Sequence, residues 1–406
     1  MFLTDEEKRI LDGAEGVGKQ KAMELIYALG LTFDAEKMIP IKRAHVALSG
    51  QEGDTYWCEL LVNGGATCAV PPTTNPYWDT CYLTKFFDVT KEELELADRT
   101  GDVYRRIGAK LTYHCAPGLS TNVPFFNEHV AFSESSATPY VNSVLGARTN
   151  RESSVSALAA AVIGKTPLYG YHLDENRYGD FLIDVEAEMQ DYYDWGILGH
   201  CVGDIAGSRN PVLRFKNAVN PGQEEFLYFG AEAATSGAVA MYHIVGVTPE
   251  APTAEAAFGA KPVPKTAEAV IQTKDLQDRE ARLTPATGDI NLVMLGCPHY
   301  TYNQLLDVER LFAGRKVSAN TAFWILADAE AVELAERSHL RQKLELIGVR
   351  MVGNTCIDEP CWKSFEGNLG ITDSPKNAYY RERRGQPFVV RRLSECIEAA
   401  IKGRVE

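Results

Sequence analysis

Residues 289–326 read DINLVMLGCPHYTYNQLLDVERLFAGRKVSANTAFWIL. Asp289–Leu295 is a short apolar run with the character of a buried strand. Thr301–Ala313 then places Leu305, Val308, Leu311 and Phe312 on one helical face. Ala322–Leu326 is apolar again. A strand, a helix and a second strand in this order predict a parallel pair joined by a helical crossover. Toward the C terminus the alternation continues. Asp328 caps a helix, Leu340–Ile347 is a helix stopped by Gly348, Val349–Val352 is a strand, and Ser394 is expected to cap the last helix.

Upstream, Thr4 and Glu7 form a capping box. The helix they start is expected to reach Leu29, with Gly30 as its stop. Strands are expected at Ala44–Ser49, Ala66–Val70 and Ala109–His114. Helices are expected at Thr55–Val62, Lys91–Ile107 and the Ala-rich Ser153–Ile163. In the middle, Ala231–Ala240 reads as helix, Met241–Val247 as strand, Thr248–Ala251 as a helix start and Gly259–Lys265 as a linker. Leu173–Asp184 takes no assignment. The fold class expected is α/β, multi-domain, with parallel sheets flanked by helices. Three regions are expected: 1–125, 126–285 and 286–406.

The 406 residues allow two or three domains at about 150 residues each. The net charge of −14 disfavours nucleic acid and anionic lipid as partners. The longest apolar run, Ala157–Ile163, is too short to span a bilayer. The start MFLTDEEKR has no signal-peptide character, so a cytoplasmic location is expected. The nine cysteines would then be reduced thiols.

Few motifs stand alone. Gly13–Lys19 (GAEGVGK) matches GxxxxGK, but Gln20 stands where a P-loop needs Ser or Thr, and no strand precedes it. It reads as a glycine-rich packed helix. Neither GxSxG nor HExxH occurs, nor a GxGxxG after a strand. Cys115, Cys297 and Cys356 each follow an expected strand end, where ligands bind in open parallel sheets. Burial as unreactive thiols is the commoner fate of cysteine. Convergence on a soft metal site is the alternative, with one coordination position open to substrate. Cys361 is a weak candidate for a fourth ligand. Asn142–Ser153 (NSVLGARTNRES) is the densest polar segment and suits either a capped loop or an anion cradle ahead of a helix.

Four segments together resemble the catalytic domain of the aconitase X family. They are EHVAFSESSATPYVNSVLGARTNRESSVSALAAAVIGKTPLYG (128–170), SGAVAMYHIVGVTPEAP (236–252), NLVMLGCPHYTYNQL (291–305) and TDSPKNAYY (372–380). HVALSG (45–50) and VPPTTNP (70–76) add to the match. The resemblance implies an aconitase-like hydro-lyase that eliminates water from a small hydroxy acid. The implied substrate is cis-3-hydroxy-L-proline first and mevalonate 5-phosphate second. It implies an iron–sulfur cluster or mononuclear iron on Cys115, Cys297 and Cys356. Glu134 and Ser135 are the implied candidates for proton transfer. Asn75, Asn142, Arg148, Asn150, Arg151, Ser374 and Lys376 are those for substrate binding.

Two departures stand out. Cys115 is followed by APG where many relatives carry Thr-Pro-Tyr. The family's small swivelling domain, thought to supply a catalytic serine, finds no room here, so a separate small-subunit partner is expected. Readings from other classes are an inactive metal-stapled binding subunit and a redox carrier. Either would need a metal site with every position filled by protein.

Overall fold

The computed structural model describes residues 1–47, 50–284 and 286–406. Three parallel sheets carry the chain. In the third, the strands lie in the order 349–352, 322–327, 292–300, 370–372, 388–390. The second runs 243–244, 211–215, 181–185, 269–271. The first runs 73–74, 43–46, 130–132. Each sheet starts with an interior strand, steps to one side, then returns to fill the other. This winding opens a crevice beside the first strand, outside its carboxyl end. The expected α/β class, parallel sheets flanked by helices, is what forms.

The C-terminal unit shows why. All nine residues of Leu292–Tyr300 are buried. Thr301 and Gln304 close a capping box on the helix Tyr302–Phe312, which buries Leu305, Val308 and Phe312 against the strands. Asp328 accepts from the Ala331 amide, 2.6 Å away, and starts the helix Ala329–Arg337. Gly296 has φ +100°, and a Cβ there would lie 1.9 Å from the Leu326 carbonyl oxygen. The pairing with 322–327 is irregular between Leu295 and Tyr300. Cys297 therefore leaves the regular ladder, inside the strand and not after it.

Several expected elements differ. The first helix breaks in two, Asp5–Leu11 and Val17–Thr32, because Gly13 and Gly16 adopt positive φ. Gly30 lies inside the second helix, where a Cβ would meet the Met1 sulfur at 2.3 Å. It is a packing glycine and not a stop. Ala66–Val70 forms no strand: the Cys68 and Val70 amides bond the carbonyls of Ile107 and Ala161. Ala109–His114 makes one bridge, Lys110 to Thr73, and Tyr113 at φ 49° interrupts it. Of Ala44–Ser49, the strand Arg43–Val46 forms and residues 48 and 49 lie outside the described residues.

In the middle, the helix is Gln223–Ser236 and the strand only His243–Ile244. Thr248–Ala251 closes a turn, Ala251 amide to Thr248 carbonyl, and the next helix begins at Ala254 under Thr253. The unassigned 173–184 contains the start of strand Phe181–Val185. Gly259–Lys265 joins a helix to a strand of the same sheet. The final helix starts at Leu393 with Arg392 as its cap, one turn position before Ser394 can act. The boundary expected at 285 falls on a residue outside the described ones.

Ser154–Ile163 is buried on every side from Ser156 to Val162 and wedges between the helix Val17–Thr32 and the first sheet. Arg177, 1% exposed, bonds both Glu250 oxygens and the carbonyls of Asn142 and Tyr171. That buried guanidinium ties the first unit to the second. Among the described residues, no helix is long and apolar enough to cross a membrane.

Candidate active site

A cavity of about 330 Å³ opens where two sheet crevices meet. From the first sheet come Ala47 and Asn75, past two strand ends, and Glu134 with Ser135, past the third. From the third sheet come Gly296, Cys297 and His299, with Lys376 beyond the strand 370–372. These are the carboxyl ends flanking each sheet's switch of direction, where ligand sites are expected on physical grounds.

Cys115, Cys297 and Cys356 all line this cavity, although long stretches of chain separate them. The His299 amide donates to the Cys115 sulfur at 3.4 Å. The Cys356 amide donates to the Tyr77 carbonyl at 2.9 Å, and Trp362 Nε1 donates to the Cys356 carbonyl at 2.9 Å. Burial pushes the Cys115 thiol up to about 12. Cys297 is raised by burial and, further, by Cys356 and Cys115 themselves. Three thiols facing one cavity offer the soft donor type that an iron–sulfur cluster or another thiophilic metal takes, although their sulfur atoms do not all lie within 4.8 Å of one another. Cys361 does not line the cavity. All nine cysteines are unpaired.

Glu134 is saturated. Its oxygens accept from Lys376 Nζ (3.1 Å), Asn75 Nδ2 (2.9 Å), Ser135 Oγ (3.1 Å) and the Ser136 amide (3.1 Å). Burial alone would raise its carboxyl; the Lys376 charge and these donors bring it down to about 2. Asn75 is oriented from behind, its Oδ1 accepting from His45 Nε2. Lys376 is 5% exposed and also donates to Ser136 Oγ at 2.6 Å. Burial would lower its ammonium, and Glu134 and Cys297 more than offset that. Of its three N–H donors, two have these partners.

Ser374 lies behind the wall. Its hydroxyl engages Glu232 Oε1 (2.7 Å) and the Cys297 carbonyl (2.5 Å), and caps the helix Pro375–Arg383 that presents Lys376. The polar segment 142–153 is elsewhere. Asn142 bonds Thr149 and the Ala240 carbonyl, Arg148 pairs with Asp174, Asn150 holds the 169–171 backbone, and Arg151 is exposed. The structure thus gathers Asn75, Cys115, Glu134, Ser135, Cys297, Cys356 and Lys376 around one space. It does not bring Asn142, Arg148, Asn150 or Arg151 there.

His45, His114 and His299 form a buried imidazole group that the sequence reading missed. His299, two positions after Cys297, was the available signal. Among the described residues, one His/Cys/Asp/Glu set has ligand atoms within 4.8 Å of each other: His114, Asp328 and Glu330. Its chemistry disfavours an ion. The Ala116 amide donates to His114 Nδ1 at 2.9 Å, so Nε2 carries the proton that a metal would have to displace.

Family models for the first, second and third domains of aconitase X match residues 1–175, 179–281 and 290–402. The phosphomevalonate dehydratase large subunit of Thermococcus kodakarensis is 35% identical over 385 residues, 94% of this chain and 95% of that protein. The chain belongs to the aconitase X family. The cis-3-hydroxy-L-proline dehydratases of Hypocrea jecorina and Pseudomonas aeruginosa are 30% and 31% identical, over 99% and 98% of this chain and 69% and 70% of theirs. The crystal structure of Thermococcus kodakaraensis aconitase X (holo-form) superposes with a TM-score of 0.86 at 31% identity, covering 98% of this chain and 100% of that one. Both named activities of these aconitase X relatives are dehydrations. The enzyme class, a hydro-lyase, holds for this member too.

Proposed function

We propose that this chain is the large subunit of a dehydratase acting on a small hydroxy acid, with cis-3-hydroxy-L-proline as the first candidate. Three thiols from three separate segments, facing the Lys376–Glu134 pair across one cavity, carry this reading. Cys115, Cys297 and Cys356 would hold an iron–sulfur cluster or a single iron. When bound, iron supplies a Lewis acid for the departing hydroxyl. Three ligands leave a position for substrate.

The other residues bind and orient. The Lys376 N–H that has no partner among the described residues is available to the substrate carboxylate, where negative charge grows as the neighbouring proton leaves. Glu134, held ionised with both oxygens engaged, is a poor proton acceptor. Its work is to fix Lys376 and Asn75, with the Ser135 hydroxyl as the adjoining proton carrier. Ser374 keeps the Cys297 backbone and the Lys376 helix in register. A base is expected from a small swivel-domain subunit, which the relatives' name "large subunit" implies. Unpaired cysteines suit the cytoplasm.

Mevalonate 5-phosphate is the second reading, favoured by the 35% identical relative of nearly equal length. The cavity wall favours the first. Its cations, Lys376 and Arg384, already have carboxylate partners, and among the described residues no further lysine or arginine lines it to meet a phosphate. An inactive stapled subunit or a redox carrier would need a fourth protein ligand, and Cys361 lies outside the cavity.

The test is anaerobic purification with the small subunit, iron and acid-labile sulfide analysis, and dehydration assays on both substrates. Iron and dehydration of hydroxyproline are expected. Absence of iron from the anaerobic holoenzyme would reject the metal reading, and turnover of mevalonate 5-phosphate alone would select the second substrate.

A further inference from the structure

Glu359 stands three residues beyond Cys356 and lines the cavity, yet is only 7% exposed. Among the described residues, its carboxylate has neither a hydrogen-bond donor nor an ion-pair partner. A buried carboxylate normally has one or both, because its desolvation is otherwise uncompensated. Its backbone is held in place. Its carbonyl accepts from the Trp362 amide at 3.3 Å, and Arg381 donates to the carbonyls of Ile357 and Trp362, each at 3.2 Å. The loop is pinned at both ends of the segment that presents it.

The other charges around the cavity are matched. Glu134 has Lys376, Glu93 has Lys363, and Asp358 has Arg384. Among the described residues, Glu359 is therefore the carboxyl of the wall with no cation at ion-pair distance, and burial beside Asp358 pushes it well above the usual carboxylate range. A phosphate would bring it no partner. A ligand carrying a protonated amine beside its carboxylate would supply the missing cation and favour the ionised Glu359, while the ligand carboxylate takes the Lys376 N–H that has no partner among the described residues.

We infer that Glu359 is a specificity-determining residue that selects a substrate with a protonated amine, so that the cavity receives a zwitterionic hydroxy acid. The inference deepens the hydroxyproline reading and rests on it.

The probe pair is L-proline and tetrahydrofuran-2-carboxylate, which differ by a ring ammonium against a ring oxygen. Binding of each is measured by calorimetry on the iron-loaded two-subunit enzyme, wild type and Glu359→Gln, alongside turnover of cis-3-hydroxy-L-proline and mevalonate 5-phosphate. The wild type should prefer L-proline by roughly tenfold or more, since a site built for a donor rejects the analogue lacking it. E359Q should bring the two affinities to within about twofold. Hydroxyproline turnover with the preference absent in the wild type, or intact in E359Q, would overturn the role of Glu359 and leave the hydroxyproline reading standing. Turnover of mevalonate 5-phosphate alone would overturn both. If E359Q does not fold, Glu359→Asp replaces it: the charge remains, so the preference must persist with weaker binding of L-proline, and an unchanged affinity for both ligands would count against the inference.

Discussion

Lys376 Nζ lies 3.1 Å from Glu134 Oε1, an ion pair that spans 242 residues of sequence. Each partner follows the strand that reverses its sheet's winding, 130–132 in the first sheet and 370–372 in the third. The two crevices are thus locked face to face by one charge pair at the base of the cavity.

Breaking that pair from either side leaves a buried charge alone. Lys376→Met and Glu134→Gln should each destabilise the protein by about 3–5 kcal/mol, read as a lowered thermal midpoint. Lys376→Met should also cut kcat/KM by about a hundredfold or more in the two-subunit enzyme. A wild-type midpoint in both variants would show that the pair is not holding the crevices together.

Cys115→Ser, Cys297→Ser and Cys356→Ser should each lose bound iron, whereas Cys361→Ser should keep it. Metal analysis of anaerobically purified protein checks this. Equal iron in all four variants would place the metal elsewhere.

Glu232 provides the pH dependence. Burial pushes its carboxyl up to about 8, against the pull of the Lys376 amide and the Ser374 hydroxyl. The folded protein then keeps a proton that the unfolded chain releases near 4.5. Stability from this group is fullest below that value and falls as pH rises toward 8. Glu232→Gln should flatten the decline of the thermal midpoint between pH 5 and about 8. A decline of unchanged slope would assign it to other groups.

Gly296→Ala should destabilise the third sheet by about 2–4 kcal/mol. The new Cβ would meet the Leu326 carbonyl at 1.9 Å, in a backbone conformation that disfavours side chains. Differential scanning calorimetry reads the shift, and iron content should fall with it because Cys297 is the next residue.

Where local pattern decided structure, the sequence was legible. Tyr302–Phe312 carries its cap, its apolar face and its flanking strands within one stretch, and it forms as expected. Ala66–Val70 shows the opposite case. Its apolar run looks like a strand, but its amides are satisfied by the ends of two helices, a tertiary event that no local pattern records. The site divides the same way. Cys115, Cys297 and Cys356 drew attention because each follows a strand end expected from the sequence, and Glu134 and Lys376 because they lie in segments that carry the family resemblance; all five line the cavity. Asn142 and Arg148 lie in such a segment too, yet their side chains serve backbone carbonyls and Asp174 between units. Glu359 gave no sequence signal, because an acidic residue in a polar loop reads as solvated until its burial is seen.

The cavity wall runs from Ala47 to Arg384, so it draws on segments far apart in the sequence. During synthesis Cys115 and Cys297 emerge while Cys356 and Lys376 are still to be made. On the proposed reading, a nascent chain would lack part of its metal site until Cys356 has been made, so iron would enter only after that segment emerges. Products truncated before Cys356 would then lack the proposed means to capture metal, which would make iron loading a report on synthesis through that segment.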